Sequence, residues 1–236
     1  MRPIGFSTGA LARADFRRGT SMALSAGCAA IELSALRQHE LFPMLDALNG
    51  LDLTGFGYVS LHAPSQMAPE WESAAWDRIR RELGRQWPVV VHPDALSDLS
   101  LWREFGSLLC VENMDKRKPV GRTAKELDRI FQELPDASLC FDIGHARQCD
   151  TTMTEAYLIL RKFGSKLRQV HVSEVNTRSA HDALSYTSIL AFQEVAHLIP
   201  EDVPLILETP VGAEDMAAEI AKAHEAFPLG RQSLVA

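Results

Sequence analysis

Leu108-Leu109-Cys110-Val111-Glu112 is a short apolar run that ends in a carboxylate, and the polar loop after it leads to Thr123-Ala124-Lys125-Glu126. The run reads as a β-strand. The tetrapeptide reads as a capping box, in which the Thr123 hydroxyl accepts from the N3 amide and Glu126 reaches back to the N-cap amide. Leu127, Ile130, Phe131 and Leu134 then fall on one helical face, and Pro135 stops the helix. Strand, loop and capped amphipathic helix together make one βα unit.

Working outward, similar runs recur at Ile4 to Phe6, Ala30 to Leu33, Tyr58 to Leu61, Val89 to Val91, Leu139 to Phe141, Gln169 to Val172 and Leu205 to Leu207. With Leu108 to Val111 they number eight, spaced about 20 to 37 residues apart, near the roughly 30 residues that a strand, a helix and two turns occupy. Between them lie helical stripes such as Trp71, Ala75, Ile79 and Leu83, and Ile189, Phe192, Val195, Ala196 and Ile199. These are read as core faces. The stretch between Val91 and Leu108 is short, so its helix, around 97–105, is predicted to be the smallest. A doubly wound sheet would carry a Gly-rich first turn, but neither GxGxxG nor GxxxxGK[ST] occurs, and Ser7-Thr8-Gly9-Ala10 is a poor substitute. The expectation is an α/β chain folded as a single (βα)8 TIM barrel, one domain over 1–236.

Composition agrees. The 236 residues are 46% hydrophobic and 23% charged, ordinary values for a globular chain, and α/β barrels run to about 250 residues. The N-terminal MRPIGFSTGA has no apolar h-region and no run approaches the roughly 18 apolar residues of a membrane helix, which predicts a cytoplasmic protein with no membrane partner. With 24 Lys plus Arg against 31 Asp plus Glu the net charge is −7, which disfavours DNA as a partner because duplex binding rests on phosphate neutralisation. Cys28, Cys110, Cys140 and Cys149 form no CxxC pair and read as structural thiols.

Chemistry concentrates where the runs end. YVSLH closes on His62, VVVH on His92, LLCVE on Glu112, LCFD on Asp142, QVH on His171 and LILE on Glu208. His145 follows Asp142 by three residues, and His181 lies ten beyond His171. In a barrel these strand ends form one ring at the active-site face. Five imidazoles and three carboxylates on one face carry a cost in free energy that cations offset. The donor types, imidazole and carboxylate without thiolate, suit Zn or Mn, with Fe, Co or Mg as further options. Eight donors exceed the needs of one four-coordinate ion, so two divalent metals are predicted, with Glu112 bridging. His39, His197 and His224, elsewhere in the chain, are read as surface or turn residues.

SLHAPS at 60–65, VHPD at 91–94, VEN at 111–113, CFDIGHA at 140–146, HVSE at 171–174 and ILETP at 206–210 resemble, in this order, the xylose isomerase-like TIM-barrel superfamily and within it the apurinic endonuclease IV family. The resemblance implies one metal on His62, His92 and Glu112, and a second on Glu112, Asp142, His171 and Glu208. It also implies a third on His145 and His181, whose additional Asp two residues before the second His is here Ser179. The chain lacks the endonucleases' basic, aromatic-interleaved loop.

Three functions follow as expectations. The first is two-metal hydrolysis of a phosphoester or similarly anionic small substrate, with Lys116, Arg117, Lys118 and Arg122 recruiting the anion. The second resembles the ketose 3-epimerases: one metal on Glu112, Asp142, His171 and Glu208, with Glu112 and Glu208 as an acid-base pair on a sugar or sugar phosphate. Here Glu32, in AGCAAIELSAL, faces the substrate and Arg178 contacts a substrate oxygen. The third is a barrel that binds metal or ligand without catalysis.

Overall fold

The computed structural model describes residues 2–83 and 87–230. Ten strands occur in it: β1 Ile4–Ser7, β2 Ala30–Ser34, β3 Tyr58–His62, β4 Val89–Val91, β5 Leu109–Glu112, β6 Ser138–Asp142, β7 Leu167–Val172, β8 Glu174–Val175, β9 His181–Asp182 and β10 Leu205–Leu207. All except β8 and β9 close one parallel barrel, in the order β1-β10-β7-β6-β5-β4-β3-β2. The eight sequence runs are its eight staves. Pairing of β1 with both β2 and β10 closes the ring, so no barrel strand is left with an unpaired edge.

Among the described residues ten α-helices connect or follow the strands, two of them after each of β1 and β6: α1 Thr8–Ala12, α2 Phe16–Ser25, α3 Gln38–Ala47, α4 Pro69–Leu83, α5 Leu99–Trp102, α6 Ala124–Glu133, α7 Ile143–Cys149, α8 Thr154–Phe163, α9 Tyr186–Ala196 and α10 Met216–Ala226. The main core unites alternate strand residues, including Ile31, Leu33, Val111, Phe141 and Val170, with helix stripes such as Ala75, Ile79, Leu127, Ile130, Ile189 and Phe192. Intervening strand residues turn into the lumen, where Val90, Cys110 and Cys140 form a separate apolar cluster. Among the described residues no helix is long and apolar enough to cross a membrane.

Two local expectations are corrected, and one element went unread. The segment predicted as a helix over 97–105 is helical only at α5 and then tightens into a 3-10 stretch, Arg103–Leu108, interrupted where Gly106 takes φ 54°. Thr123 does cap α6, accepting from the Glu126 amide at 3.2 Å, but the Glu126 carboxylate binds the Arg122 amide at 2.8 Å and its guanidinium instead of the Thr123 amide. An adjacent cation offers that carboxylate a charge-assisted bond, stronger than a neutral one. The small β8–β9 hairpin has only two residues per strand, too few for a periodicity to show in the sequence.

Candidate metal centre

Strand alternation builds the site in two layers. Side chains two residues apart share the lumen face, so Ser60 lies below His62, Cys110 below Glu112, Cys140 below Asp142 and Gln169 below His171. The lower layer holds Ser60, Cys110, Cys140 and Gln169 together with the buried carboxylate of Glu32, which pairs in register with Ser60, and the upper layer carries the other ionisable groups. His92 and Glu208 follow directly after β4 and β10, and His145 enters from the first turn of α7. Close approach of that turn to β7 is permitted by Gly144, where a Cβ would lie 2.5 Å from the Ser173 carbonyl oxygen. The amide of Asn113 fastens two staves together: its Nδ2 donates to the Asp142 carbonyl and its Oδ1 accepts from the Asp142 amide, both at 2.8 Å.

Glu112 stands at the centre. Its Oε2 faces His62 Nε2 at 3.1 Å and His92 Nε2 at 3.3 Å, while its Oε1 faces His145 Nδ1 at 3.2 Å and His171 Nδ1 at 3.6 Å. His171 Nδ1 also lies 3.5 Å from Glu208 Oε2, and His145 Nδ1 lies 3.4 Å from Asp142 Oδ2. Three donor sets converge to within 4.8 Å: His62, His92 and Glu112; Glu112, Asp142, His171 and Glu208; and Glu32, His62, His171 and Glu208. The first two share only Glu112. His181, on β9, accompanies His145 with ring centroids 5.5 Å apart and has its Nδ1 2.7 Å from Ser173 Oγ and 3.7 Å from Glu208 Oε2.

The residues fit cations. His62 Nδ1 lies 2.7 Å from the Ala63 carbonyl, to which it donates, so the Nε2 lone pair of the neutral ring meets the Glu112 carboxylate head on. Two acceptors in that position repel unless a proton or metal lies between them. Asp142 Oδ2, His171 Nδ1 and His92 Nδ1 are buried without a hydrogen-bond partner among the described residues, although such groups are normally satisfied. The electrostatics of the ring agree. Burial opposes charging His62 and His145, yet the surrounding carboxylates push His62 up to about 9 and His145 up to about 10. Burial raises the Asp142 carboxyl to about 6 and lowers His92. Protons thus take up the charge compensation that cations would supply.

Above the ring opens a cavity of about 270 Å³, lined by Ser34, Leu36, Ser65, Gln66, Arg117 and Lys118. The ring residues His62, His92, Glu112, His145, His181 and Glu208 form its base. Of the other predicted substrate contacts, Lys116 and Arg178 are exposed and do not line this cavity. Glu32 lies fully buried beneath His171, one layer too deep to meet a substrate there. Arg117 is bonded to Asp115 and the Ser179 carbonyl, and Lys118 to Asp94. Ser179, where the resemblance implies an Asp, has φ 55° and bonds Gln148. The sequence reading missed Asn113, Gln169, Ser173 and buried Asp115. For Gln169 the signal was present, since it precedes His171 by two residues and so shares its face. His39, His197 and His224 are exposed, as expected of surface residues.

No protein-family model matches this chain, and no curated protein does. Solved structures do. A xylose isomerase domain protein from Planctomyces limnophilus superposes with a TM-score of 0.57 at 12% identity, covering 89% of each chain. What it shares with this chain is the closed (βα)8 barrel fold. Another xylose isomerase domain protein, from Alicyclobacillus acidocaldarius, gives 0.57 at 15% identity over 94% of this chain and 99% of its own. A candidate sugar phosphate isomerase/epimerase from Anabaena variabilis gives 0.54 at 14% identity over 99% and 89%. None of the three is described as an endonuclease. Identities this low speak for the fold alone, so the chemistry has to be argued from the residues.

Proposed function

We propose that this barrel is a divalent-metal enzyme that holds two cations at its mouth and hydrolyses a phosphoester or a similarly anionic small substrate. The observation that carries the reading is the division of Glu112: each carboxylate oxygen faces a different set of imidazoles, the arrangement a bridging ligand needs. Zn or Mn suits these donors, with Fe, Co or Mg as alternatives.

When bound, the cations supply electrophilic polarisation of the substrate and neutralise charge developing on it. The chain does the rest. Ala63 orients His62 through its carbonyl, and Asn113 holds the Asp142 backbone against β5. Arg117 and Lys118 place positive charge on the cavity wall, where an incoming anion meets it before the carboxylates below. Glu208 is the carboxylate of the ring that is partly open to the cavity, its side chain 14% exposed. It is therefore placed to take a proton from, or return one to, a group entering there.

A second reading rests on the other donor set. Glu112, Asp142, His171 and Glu208 alone suffice for one cation, and Glu112 with Glu208 then forms the acid-base pair of a sugar or sugar phosphate isomerase or epimerase. His62 and His92 separate the two readings. Metal analysis of the purified chain is expected to give about two ions per molecule, the number in a bridged site, and His62→Ala combined with His92→Ala is expected to abolish hydrolysis of bis(p-nitrophenyl) phosphate. One ion per chain, with solvent deuterium exchange into a ketose surviving the double substitution, would replace the hydrolase by the isomerase.

A further inference from the structure

Below the ring lies a polar chain that the reaction as described does not use. Glu32 of β2 is fully buried, and its Oε2 receives three donors: Gln169 Nε2 at 2.7 Å, His171 Nε2 at 3.1 Å and Ser60 Oγ at 3.1 Å. Gln169 is fixed in turn by the Tyr58 hydroxyl, which donates to its Oε1 at 2.7 Å and so leaves Nε2 to point at Glu32. The network crosses the lumen from β2 and β3 to β7.

We propose that Glu32 is a positioning residue: it selects the tautomer of His171, holding the proton on Nε2 and so presenting a Nδ1 lone pair to the cation between Glu112, Asp142 and Glu208. The inference rests on the metal reading given above. A buried carboxylate is costly unless donors converge on it, and three do. His171 Nε2 has two neighbours, the Glu32 carboxylate at 3.1 Å and the Gln169 amide nitrogen at 2.8 Å. The carboxylate offers the stronger, charge-assisted bond and draws the hydrogen to Nε2, while the Gln169 amide donates to Glu32. His171 Nδ1 is buried, without a hydrogen-bond partner among the described residues and 3.5 to 3.6 Å from oxygens of Glu208 and Glu112, so it is the nitrogen that gives up its proton when a cation binds. A carboxylate behind a metal-bound imidazole fixes ring orientation and raises ligand basicity. Glu32 also lies within 4.8 Å of His62, His171 and Glu208, and its Oε1 is buried with no hydrogen-bond partner among the described residues. Direct ligation through Oε1 is the competing role, and the position of the His171 proton separates the two.

Glu32→Gln keeps the shape of the side chain and removes its charge. Titration calorimetry with Mn²⁺ is expected to show binding weakened about 10- to 100-fold, the usual effect of losing such a partner. Cys110→Ala, a packing change in the same lumen layer, is expected to lower the melting temperature of the metal-free chain and leave Mn²⁺ affinity unchanged. Unaltered Mn²⁺ binding by Glu32→Gln overturns the inference and leaves the metal site standing; a parent chain that binds neither Mn²⁺ nor Zn²⁺ overturns both. The parent alone gives an independent reading, for cases where the variant fails to fold. In the ¹⁵N-labelled, Zn²⁺-loaded chain, long-range ¹H–¹⁵N spectra are expected to place the His171 proton on Nε2, and a proton on Nδ1 would sink the assignment.

Discussion

The two halves of the ring differ in charge and in access. On the β3–β4 side, Glu112 meets only imidazoles, His62 and His92, whose side chains keep 9% and 12% exposure. On the β6–β7–β10 side it meets Asp142 and His171, both fully buried, together with Glu208. Imidazoles can become neutral by losing a proton; burial lowers His92 in that direction, while the surrounding carboxylates hold His62 up at about 9. Clustered carboxylates in a dry interior have no such exit short of protonation, which Asp142 approaches with its carboxyl raised to about 6. The carboxylate half, with Asp142 and Glu208 beside Glu112, therefore holds the larger negative charge for a cation to offset, and the imidazole half the smaller.

The largest effect is expected where the halves meet. Glu112→Gln removes charge from both donor sets that share it, and metal analysis should find neither ion retained through gel filtration. Asp142→Asn strikes the carboxylate half, and its loss of affinity in Mn²⁺ titration should exceed the roughly 10- to 100-fold typical of an outer-shell change. His62→Ala with His92→Ala should release one ion and leave the other in place; loss of both would erase the proposed asymmetry.

A pH series comes next. In the metal-free chain His62 is raised from its ordinary 6.5 to about 9. Its ion pair with Glu112 therefore contributes stability in full below about pH 6.5 and loses it as pH rises through about 9. Melting curves recorded with chelator should decline across that window. Metal affinity should move the opposite way, because His62 and His145 must release protons before they can bind a cation. The smallest effect belongs to a residue remote from both halves. Thr123→Ala removes the α6 cap and should cost about 1 kcal/mol, or about 2–4 °C of melting temperature at this chain length, with metal content unchanged.

Much of this was legible from local pattern. Each barrel strand announced itself as an apolar run, because a parallel strand covered on both faces has little room for polar residues until it emerges at its end. That emergence is where His62, Glu112 and Asp142 stand, and so the ring could be read as a list of strand ends. Less legible were residues whose role depends on a partner far away in the chain. Glu32 sits inside AIELS like any polar residue of a strand, and only barrel closure brings it to His171, 139 residues away. Among the basic residues of the loop after β5, only Arg117 and Lys118 line the cavity, and Lys116 faces outward. Loop backbone geometry decided between them, since a charge run carries no periodicity from which direction can be read.

What the linear chain determined by itself was the eightfold alternation of strand and helix and the donor types at the strand ends, since both follow from short-range rules of burial and backbone period. Only the tertiary structure decided that Glu112 turns one oxygen to each half, that Glu32 supports the ring from below, and that the hairpin carries His181 over it. Those relations depend on the register between strands and on the closure of β1 against β10, and neither is encoded in any single segment.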